Sequence, residues 1–436
     1  MTPAIAIIGA GPSGLLLARL LQHLGDIPST IFELDPSSSA RGQGGTLDIH
    51  EESGQRALKR AGLSSEFQKL MRPEGDHLRL ADKTGFIHID EETPGEGRPE
   101  IDRAQLRQLL IDSVPAKSIE WSSKVASLQP TPDGRFRIIF ANGSEDPRSF
   151  DFVVGADGAW SHVRPLVTDV LPFYSGISGV EVRFRDVDKA HPEISKLVGQ
   201  GSYFCLSDEK AYFGQRQGDG SIRNYAMLRA PESWIDDCGI DFSNPQATKA
   251  AMVERYFDDW SEANKDLIRL ADEDHVIARK LMMLPADHRW TSRPGVTLMG
   301  DAAHVMTPFA GEGVNNAMVD ALELAEKVAA ALRDGSAGKM QENLAKAVKE
   351  YEEGMFARVH GVAQETLQGL AVLFSKNAPL EFKEMMEGFK AGHRDVKQRT
   401  KCNIGAPMEQ REKMTEKQQI RLNEQLLLYY TQKRWQ

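Results

Sequence analysis

Three glycines in the spacing GxGxxG, Gly9, Gly11 and Gly14, follow directly on a short apolar run, Ala4 to Ile8. They lead into a leucine-rich segment, Ser13 to Leu24, broken by the charge of Arg19. The continuous isoleucine-rich run has the pattern of a strand covered on both faces of a parallel sheet. The leucine segment reads as a helix, and Thr30 to Phe32 as a second strand. In such a unit the first glycine permits a tight turn, the second lets a pyrophosphate approach the backbone, and the third lets helix and strand pack closely. Phosphates would then sit at the helix N-terminus, where unpaired N–H groups and the helix dipole favour negative charge. Glu33 ends the second strand, where a carboxylate can accept from ribose hydroxyls. The unit predicts dinucleotide binding without separating NAD(P) from FAD.

Helical patterns follow at Glu51 to Ala61 and Arg103 to Ser113, and residues 36–46 read as a loop rich in Ser and Gly. Residues 119–154 suggest a meander inserted in the nucleotide domain, with strands at Arg135 to Phe140 and Phe150 to Val154. Between about 172 and 290, alternating β-branched and aromatic segments (Val180 to Phe184, Ser202 to Leu206, Ala211 to Gln215, Arg223 to Leu228) predict a second sheet, with two helices near 246–270. An apolar strand, Val296 to Met299, returns, and long helices are expected at Asn315 to Leu332 and Gln341 to about Phe374. A charged helix, Glu409 to Trp435, is expected to dock on its own chain or on a second subunit.

The chain has 53 basic and 63 acidic residues in 436, a formal charge of -10, the wrong sign for a protein whose affinity comes from neutralising phosphates. Nucleic acid is therefore not an expected partner. Cys205, Cys238 and Cys402 are too scattered for a disulfide framework or a zinc site, and no metal is expected. No basic N-terminal region precedes an apolar core, and no apolar run approaches the roughly 18 residues of a membrane span. A soluble cytoplasmic protein without stable membrane insertion, a monomer or weak dimer, is expected.

Two further motifs choose flavin. Val153 to Arg164 reads VVGADGAWSHVR, a buried strand followed by Asp157-Gly158, and Val296 to Asn316 reads VTLMGDAAHVMTPFAGEGVNN, a buried strand followed by Gly300-Asp301 and a glycine-rich helix start. With GxGxxG before them in the same order, these make the chain resemble the single-component FAD monooxygenases, the flavoprotein aromatic hydroxylases typified by para-hydroxybenzoate hydroxylase. The stretches ARGQGGTLDIHEESGQRALKRAGL (Ala40 to Leu63) and PFAGEGVNNAMVDA (Pro308 to Ala321) resemble the tetracycline-inactivating members most. The likeness runs loosely from residue 4 to about 360, is poor over 172–290, and has no counterpart beyond about 375.

The resemblance implies an α/β fold: a Rossmann-like FAD-binding domain of residues 1–171 and 291–335, a sheet-rich substrate domain of 172–290, and C-terminal helices from 336 to 436. It implies that Gly9, Gly11, Gly14, Glu33, Gly45, Gly300, Gly311, Gly313, Val314 and Asn315 line FAD. Arg41 matches an arginine associated with the nicotinamide cofactor, Asp48 and Arg103 match residues that contact FAD, and Asp301 matches an aspartate that accepts from a ribityl hydroxyl. Asp157 is implied to serve both FAD and NAD(P)H. Glu312 stands where relatives carry glutamine; a carboxylate beside the flavin would disfavour the reduced anionic ring, so it is expected to point to solvent. Independently of the family, Gly311 and Gly313 leave a helix start open to face the flavin's N1 and C2 carbonyl. His304 is assigned no chemistry.

The implied cycle uses NADPH or NADH to reduce FAD, O2 to form a C4a-hydroperoxide, and that species to hydroxylate an electron-rich aromatic or enolic substrate, polyketide-like or tetracycline-like. The functions suggested are secondary metabolism and antibiotic inactivation. Substrate is expected between the nucleotide domain and the second sheet. Tyr203, Tyr212, Phe213, Tyr225 and Met227 would supply apolar area, Gln215, Arg216 and Asn224 would orient polar groups, and Pro308 and Phe309 are further substrate-contact candidates. No catalytic side chain is required, because the chemistry is the flavin's. Alternatives are a same-fold epoxidase, reductase or halogenase, although the WxWxIP signature of tryptophan halogenases is absent, and a flavin-fold binding protein without catalysis, against which the retained Gly300-Asp301 counts.

Overall fold

The computed structural model describes residues 2–40, 44–73, 77–92, 97–333 and 339–388. The described residues up to Glu381 form one compact unit. The charged helix expected at Glu409 to Trp435 lies outside the described residues, as does Arg41.

At the centre of this unit is a five-stranded, all-parallel sheet in the order Val296–Leu298, Phe152–Gly155, Ile5–Ile8, Ser29–Phe32 and Ile119–Glu120. Ile5, Ala6, Ile7 and Ile8 are at most 3% exposed, which is why their run carries no polar alternation. The helix Pro12–Gly25 starts with proline in its first turn and stops where Asp26 turns left-handed at φ 48°. It buries Leu15, Leu16, Leu17, Leu20 and Leu21 between the sheet and the helix Gly313–Arg333. Each such side chain stabilises the fold by about 1.5–3 kcal/mol relative to exposure.

The expected meander is resolved differently. Val125–Pro130 and Phe136–Phe140 pair as a hairpin and Phe136 also bridges Phe150, while Phe152–Gly155 leaves to join the central parallel sheet.

A seven-stranded sheet has the order Val276–Met283, Phe173–Phe184, Ile222–Arg229, Lys210–Arg216, Ser202–Ser207, His77–Ala81 and Ile87–Glu92. Its last two strands come from the first hundred residues, which the sequence pattern did not show. One face carries a core of Val180, Val182, Tyr203, Tyr212 and Ala226, packed with Met252, Phe257, Trp260 and Leu267 of helices Pro245–Tyr256 and Glu262–Arg269 and the turn between them. The other face is turned toward Gly44, Gly45 and Phe309. The helix Met340–Leu373 runs past Gly313–Arg333 and reaches the Pro308–Ala310 turn. No helix among the described residues is long and apolar enough to cross a membrane.

Candidate functional site

The three glycines of the first turn have three distinct surroundings. A Cβ on Gly9, at φ 107°, would lie 2.3 Å from the Ala156 carbonyl oxygen, and one on Gly14 would lie 2.2 Å from the Gly9 carbonyl. A Cβ on Gly11 would meet nothing within 4 Å. Gly9 and Gly14 are thus fixed by packing, and Gly11 by what approaches from outside, as a pyrophosphate cradle requires. Glu33 is buried, and its carboxylate accepts from the backbone N–H of Ala10 at 2.7 Å and of Asp35 at 3.0 Å, so it also holds the loop in shape. Arg107, which the sequence reading passed over, donates to the carbonyls of Ala10 at 3.0 Å and Ser38 at 3.1 Å from a 2% exposed position. Its signal was present: Arg107 lies one helical turn beyond Arg103 on Arg103–Asp112.

The other two motifs converge on this loop. Gly9 abuts Asp157, and Gly300 lies against Ser13 of the first helix. The Asp157 carboxylate accepts from the His162 N–H at 2.7 Å, shaping its own turn, and burial pushes its pKa up. Arg164, at the end of that motif, donates to the carbonyls of Ala302 at 2.9 Å and Asp301 at 3.3 Å and so ties the two motifs together. Behind Gly300, fully buried Asp320 accepts from the Gly300 N–H at 2.8 Å, His304 Nε2 at 2.6 Å and Arg358 at 2.8 Å. Burial would raise the Asp320 pKa, but the charges and hydrogen bonds of His304 and Arg358 outweigh it and hold it at about 2. Asp301, in contrast, is exposed at the start of its short helix.

Farther along, Asp48 and the 311–315 segment meet. Gly311, left-handed at φ 69°, faces the Asp48 carboxylate, which lies 2.7 Å from His50 Nε2. Asn315 donates to the Asp48 carbonyl at 2.9 Å and accepts from the His50 N–H at 3.0 Å, so its side chain locks the helix start to the strand Thr46–Asp48. Gly313 and Val314 open the helix Gly313–Arg333, whose first-turn N–H groups have no intrahelical acceptor. Glu312 does not point to solvent as expected: its carboxylate sits 3.2 Å from His50 Nδ1, so its charge is matched by a buried imidazole. Burial works against a charged His50, yet the hydrogen bonds and charges of Asp48 and Glu312 prevail and push it up to about 9.

The seven-stranded sheet presents its free face next to this point. Paired residues share a face, so register places Ile277, Glu181, Tyr225, Phe213 and Phe204 in one row across it. Arg279, Gly179, Met227, Ala211 and Leu206 form the next row, and Arg223 and Gln215 belong to the row on the other side. The Phe213 ring lies 5.0 Å from Phe204, 5.9 Å from Phe309 and 6.2 Å from Phe374, and Phe309 lies 5.3 Å from Phe374. Gln215, Met227 and Phe309 are therefore on one side with Gly45, while Pro308 is exposed at the head of its turn.

Tyr203, Tyr212, Asn224 and Arg216 are corrections to the sequence reading, because strand alternation puts them on the opposite face. Tyr203 donates to Asn264 at 2.7 Å, Asn224 donates to the Leu267 carbonyl at 3.1 Å, and Tyr212 stacks on Phe257. Arg216 is spent on the Gly220 carbonyl at 2.8 Å, Asp188 at 2.9 Å and Ser195 at 2.7 Å. Glu181, Arg223 and Arg279 from three strands, with His275 just before the third, meet on the free face and were not named from the sequence.

The residues present fit FAD: a phosphate-sized approach at Gly11, an exposed carboxylate at Asp301, and a helix start beside Asp48. Comparison with known proteins agrees. Residues 1–346 match the family model described as FAD binding domain. The chain is 31% identical over 438 residues to the monooxygenase asqM of Emericella nidulans, covering 88% of this chain and 98% of the relative. In structure it is similar to HpxO of Klebsiella pneumoniae complexed with FAD and uric acid, at TM-score 0.70 and 20% identity over 91% of this chain and 95% of that one. It is similar also to the tetracycline destructase Tet(51), at TM-score 0.64 and 19% identity over 90% of this chain and 97% of that one. The last two likenesses are of fold.

Proposed function

Because the chain belongs to the FAD binding domain family and is an FAD-dependent monooxygenase, we propose that it takes electrons from NADPH or NADH and hydroxylates a bulky aromatic or enolic small molecule, polyketide-like or tetracycline-like. Bound FAD supplies the activation of O2 and the transfer of one oxygen atom to the substrate. The chain's own residues bind, orient and exclude water. Gly9, Gly11 and Gly14 admit the pyrophosphate to the first helix, with Glu33 and Arg107 fixing the loop. Asp301 receives the ribityl hydroxyls. Gly45, Asp48 and Arg103 would hold the ring system, and the helix start at Gly313, Val314 and Asn315 would favour negative charge on it. Arg41 serves the nicotinamide, with Asp157 shaping the adjoining turn. Residues 1–171 with 291–335 carry FAD in this reading, and 172–290 the substrate.

The observation that carries the reading is the aromatic wall of Phe204, Phe213, Phe309 and Phe374, which joins the sheet face to the turn immediately preceding the glycine-rich helix start. An apolar surface at that place would pack against a flat substrate and keep water from the reacting oxygen. The name of Tet(51) supports a tetracycline-like shape. The test is incubation of the FAD-loaded protein with NADPH and isotopically labelled O2 over a panel of phenolic polyketides and tetracyclines. A product that gains one labelled oxygen atom supports the proposal, and NADPH consumption that yields only hydrogen peroxide with every compound contradicts it.

A further inference from the structure

Arg358 lies on the helix Met340–Leu373, beyond residues 1–346 that match the FAD binding domain. Both prongs of its guanidinium are engaged. Nη1 donates to Asn316 Oδ1 at 2.8 Å, and Nη2 donates to Asp320 Oδ1 at 2.8 Å and to Glu323 Oε2 at 3.2 Å. Asn316, Asp320 and Glu323 follow one another along one face of Gly313–Arg333, so one planar fork reaches all three at once. The Arg358 side chain is 23% exposed and that of Asp320 is fully buried, so the pair forms largely away from water.

Two of these acceptors each hold a different loop. Asp320 Oδ2 accepts from the Gly300 N–H at 2.8 Å and lies 2.6 Å from His304 Nε2. Gly300 is left-handed at φ 56°, and a Cβ there would stand 3.1 Å from Ser13 Oγ and 3.2 Å from the Ala317 Cβ, so the backbone entering Asp301 has one tight seat. Asn316 Nδ2 donates to the Glu312 carbonyl at 3.0 Å, just ahead of the helix start at Gly313. A guanidinium has only donors, so Arg358 requires Asn316 to present Oδ1 to it and leaves the amide N–H for Glu312. One side chain thereby fixes an amide at one loop and balances the carboxylate that holds the other.

We propose that Arg358 is a positioning residue for FAD: through Asp320 it sets the Gly300–Asp301 peptide that receives the ribityl chain, and through Asn316 it sets the Glu312–Gly313 peptide at the helix start beside the ring. The helix Met340–Leu373 then belongs to the FAD site although none of the residues proposed to touch the cofactor is on it. A lysine at this position keeps the positive charge beside Asp320 but, as a single point donor, cannot serve Asn316 and Asp320 in one plane. The proposal rests on the placement of FAD at Asp301 and Gly313 given above, and is independent of the substrate and of oxygen transfer.

Fluorescence titration of the full-length apoprotein with FAD tests it on wild type, Arg358→Lys, Asp301→Ala and the double variant, with apoprotein melting curves alongside. Arg358→Lys is expected to weaken FAD at least about tenfold while the apoprotein still melts cooperatively. In the double variant the combined loss should fall well short of the product of the two single losses, because Arg358 acts through the aim of Asp301; a purely structural role would leave the losses multiplicative. Asn316→Ser leaves the Arg358–Asp320 pair in place and tests the other arm without risk to the buried charges, with an expected loss of at least about threefold in FAD affinity. Wild-type affinity in Arg358→Lys or in Asn316→Ser, or losses that multiply in the double variant, each overturn the proposal. Failure of the FAD placement shows separately, as wild-type affinity in Asp301→Ala.

Discussion

The carboxylate of Glu312 lies 3.2 Å from Nδ1 of His50, and Nε2 of the same ring lies 2.7 Å from Asp48. A fully buried imidazole thus joins two carboxylates at the place where the strand Thr46–Asp48 meets the glycine-rich helix start. The folded pKa of His50, about 9, stands above its ordinary 6.5, so the proton it gains stabilises the fold fully below pH 6.5, and that contribution disappears as pH rises through 9. Its size is on the order of 3 kcal/mol. Thermal unfolding should therefore show Tm falling across this interval in wild type and falling less in His50→Gln; identical pH profiles would contradict the pairing.

Gly11→Ala separates cofactor binding from folding. A methyl group there meets nothing within 4 Å, so the apoprotein should keep its Tm to within the effect of about 0.5 kcal/mol, while FAD affinity drops at least about tenfold. Gly14→Ala, whose Cβ would stand 2.2 Å from the Gly9 carbonyl, should instead destabilise the apoprotein by about 1–3 kcal/mol. Apoprotein melting curves and flavin titrations of the two variants check both statements, and equal destabilisation by the two would refute the division of roles.

Asp301→Ala removes an exposed carboxylate and should leave the apoprotein intact. Loss of a charged hydrogen bond to a ribityl hydroxyl is worth about 1.5–3 kcal/mol, or roughly 10- to 100-fold in FAD affinity. Full retention of FAD through purification and dialysis would remove Asp301 from the site.

Asp320 is the reverse case. It touches the backbone of Gly300 and two basic side chains from complete burial, so Asp320→Ala should cost about 3–5 kcal/mol through the charges it leaves unpaired. Its folded pKa of about 2 lies below the ordinary 3.8, so its contribution is present above pH 3.8 and is lost as pH falls through 2. Chemical denaturation of wild type and variant at neutral pH measures the difference; a change under about 1 kcal/mol would mean that the network is not formed.

The parallel strands, the first helix and the three motif loops were legible because each follows from local chemistry: continuous apolar runs, glycine spacing, and an acid at a strand end. The convergence of Asp157, Asp301 and Gly9 follows from sheet order, since Phe152–Gly155 lies between Ile5–Ile8 and Val296–Leu298. The free face of the seven-stranded sheet was not legible in the same way. The segment Ala211 to Gln215 shows alternation but not which parity faces the helices, so Tyr212 and Arg216 were named together with Phe213 and Gln215, which lie on the opposite face. Glu181, Arg223, His275 and Arg279 are separated by up to 98 residues and meet only through strand register. Glu312 was misplaced because its partner, His50, is brought to it by a contact between distant segments.

The most direct measurement of the central claim is anaerobic mixing of the FAD-loaded protein with NADPH or NADH, followed at the flavin absorption band, with and without each compound of the phenolic and tetracycline panel, and then aeration. Bleaching of the flavin that one compound accelerates is expected, with that compound gaining an oxygen atom once air is admitted. A flavin that stays oxidised with both nicotinamides, or one that is reduced and reoxidised with no compound altered, would contradict it.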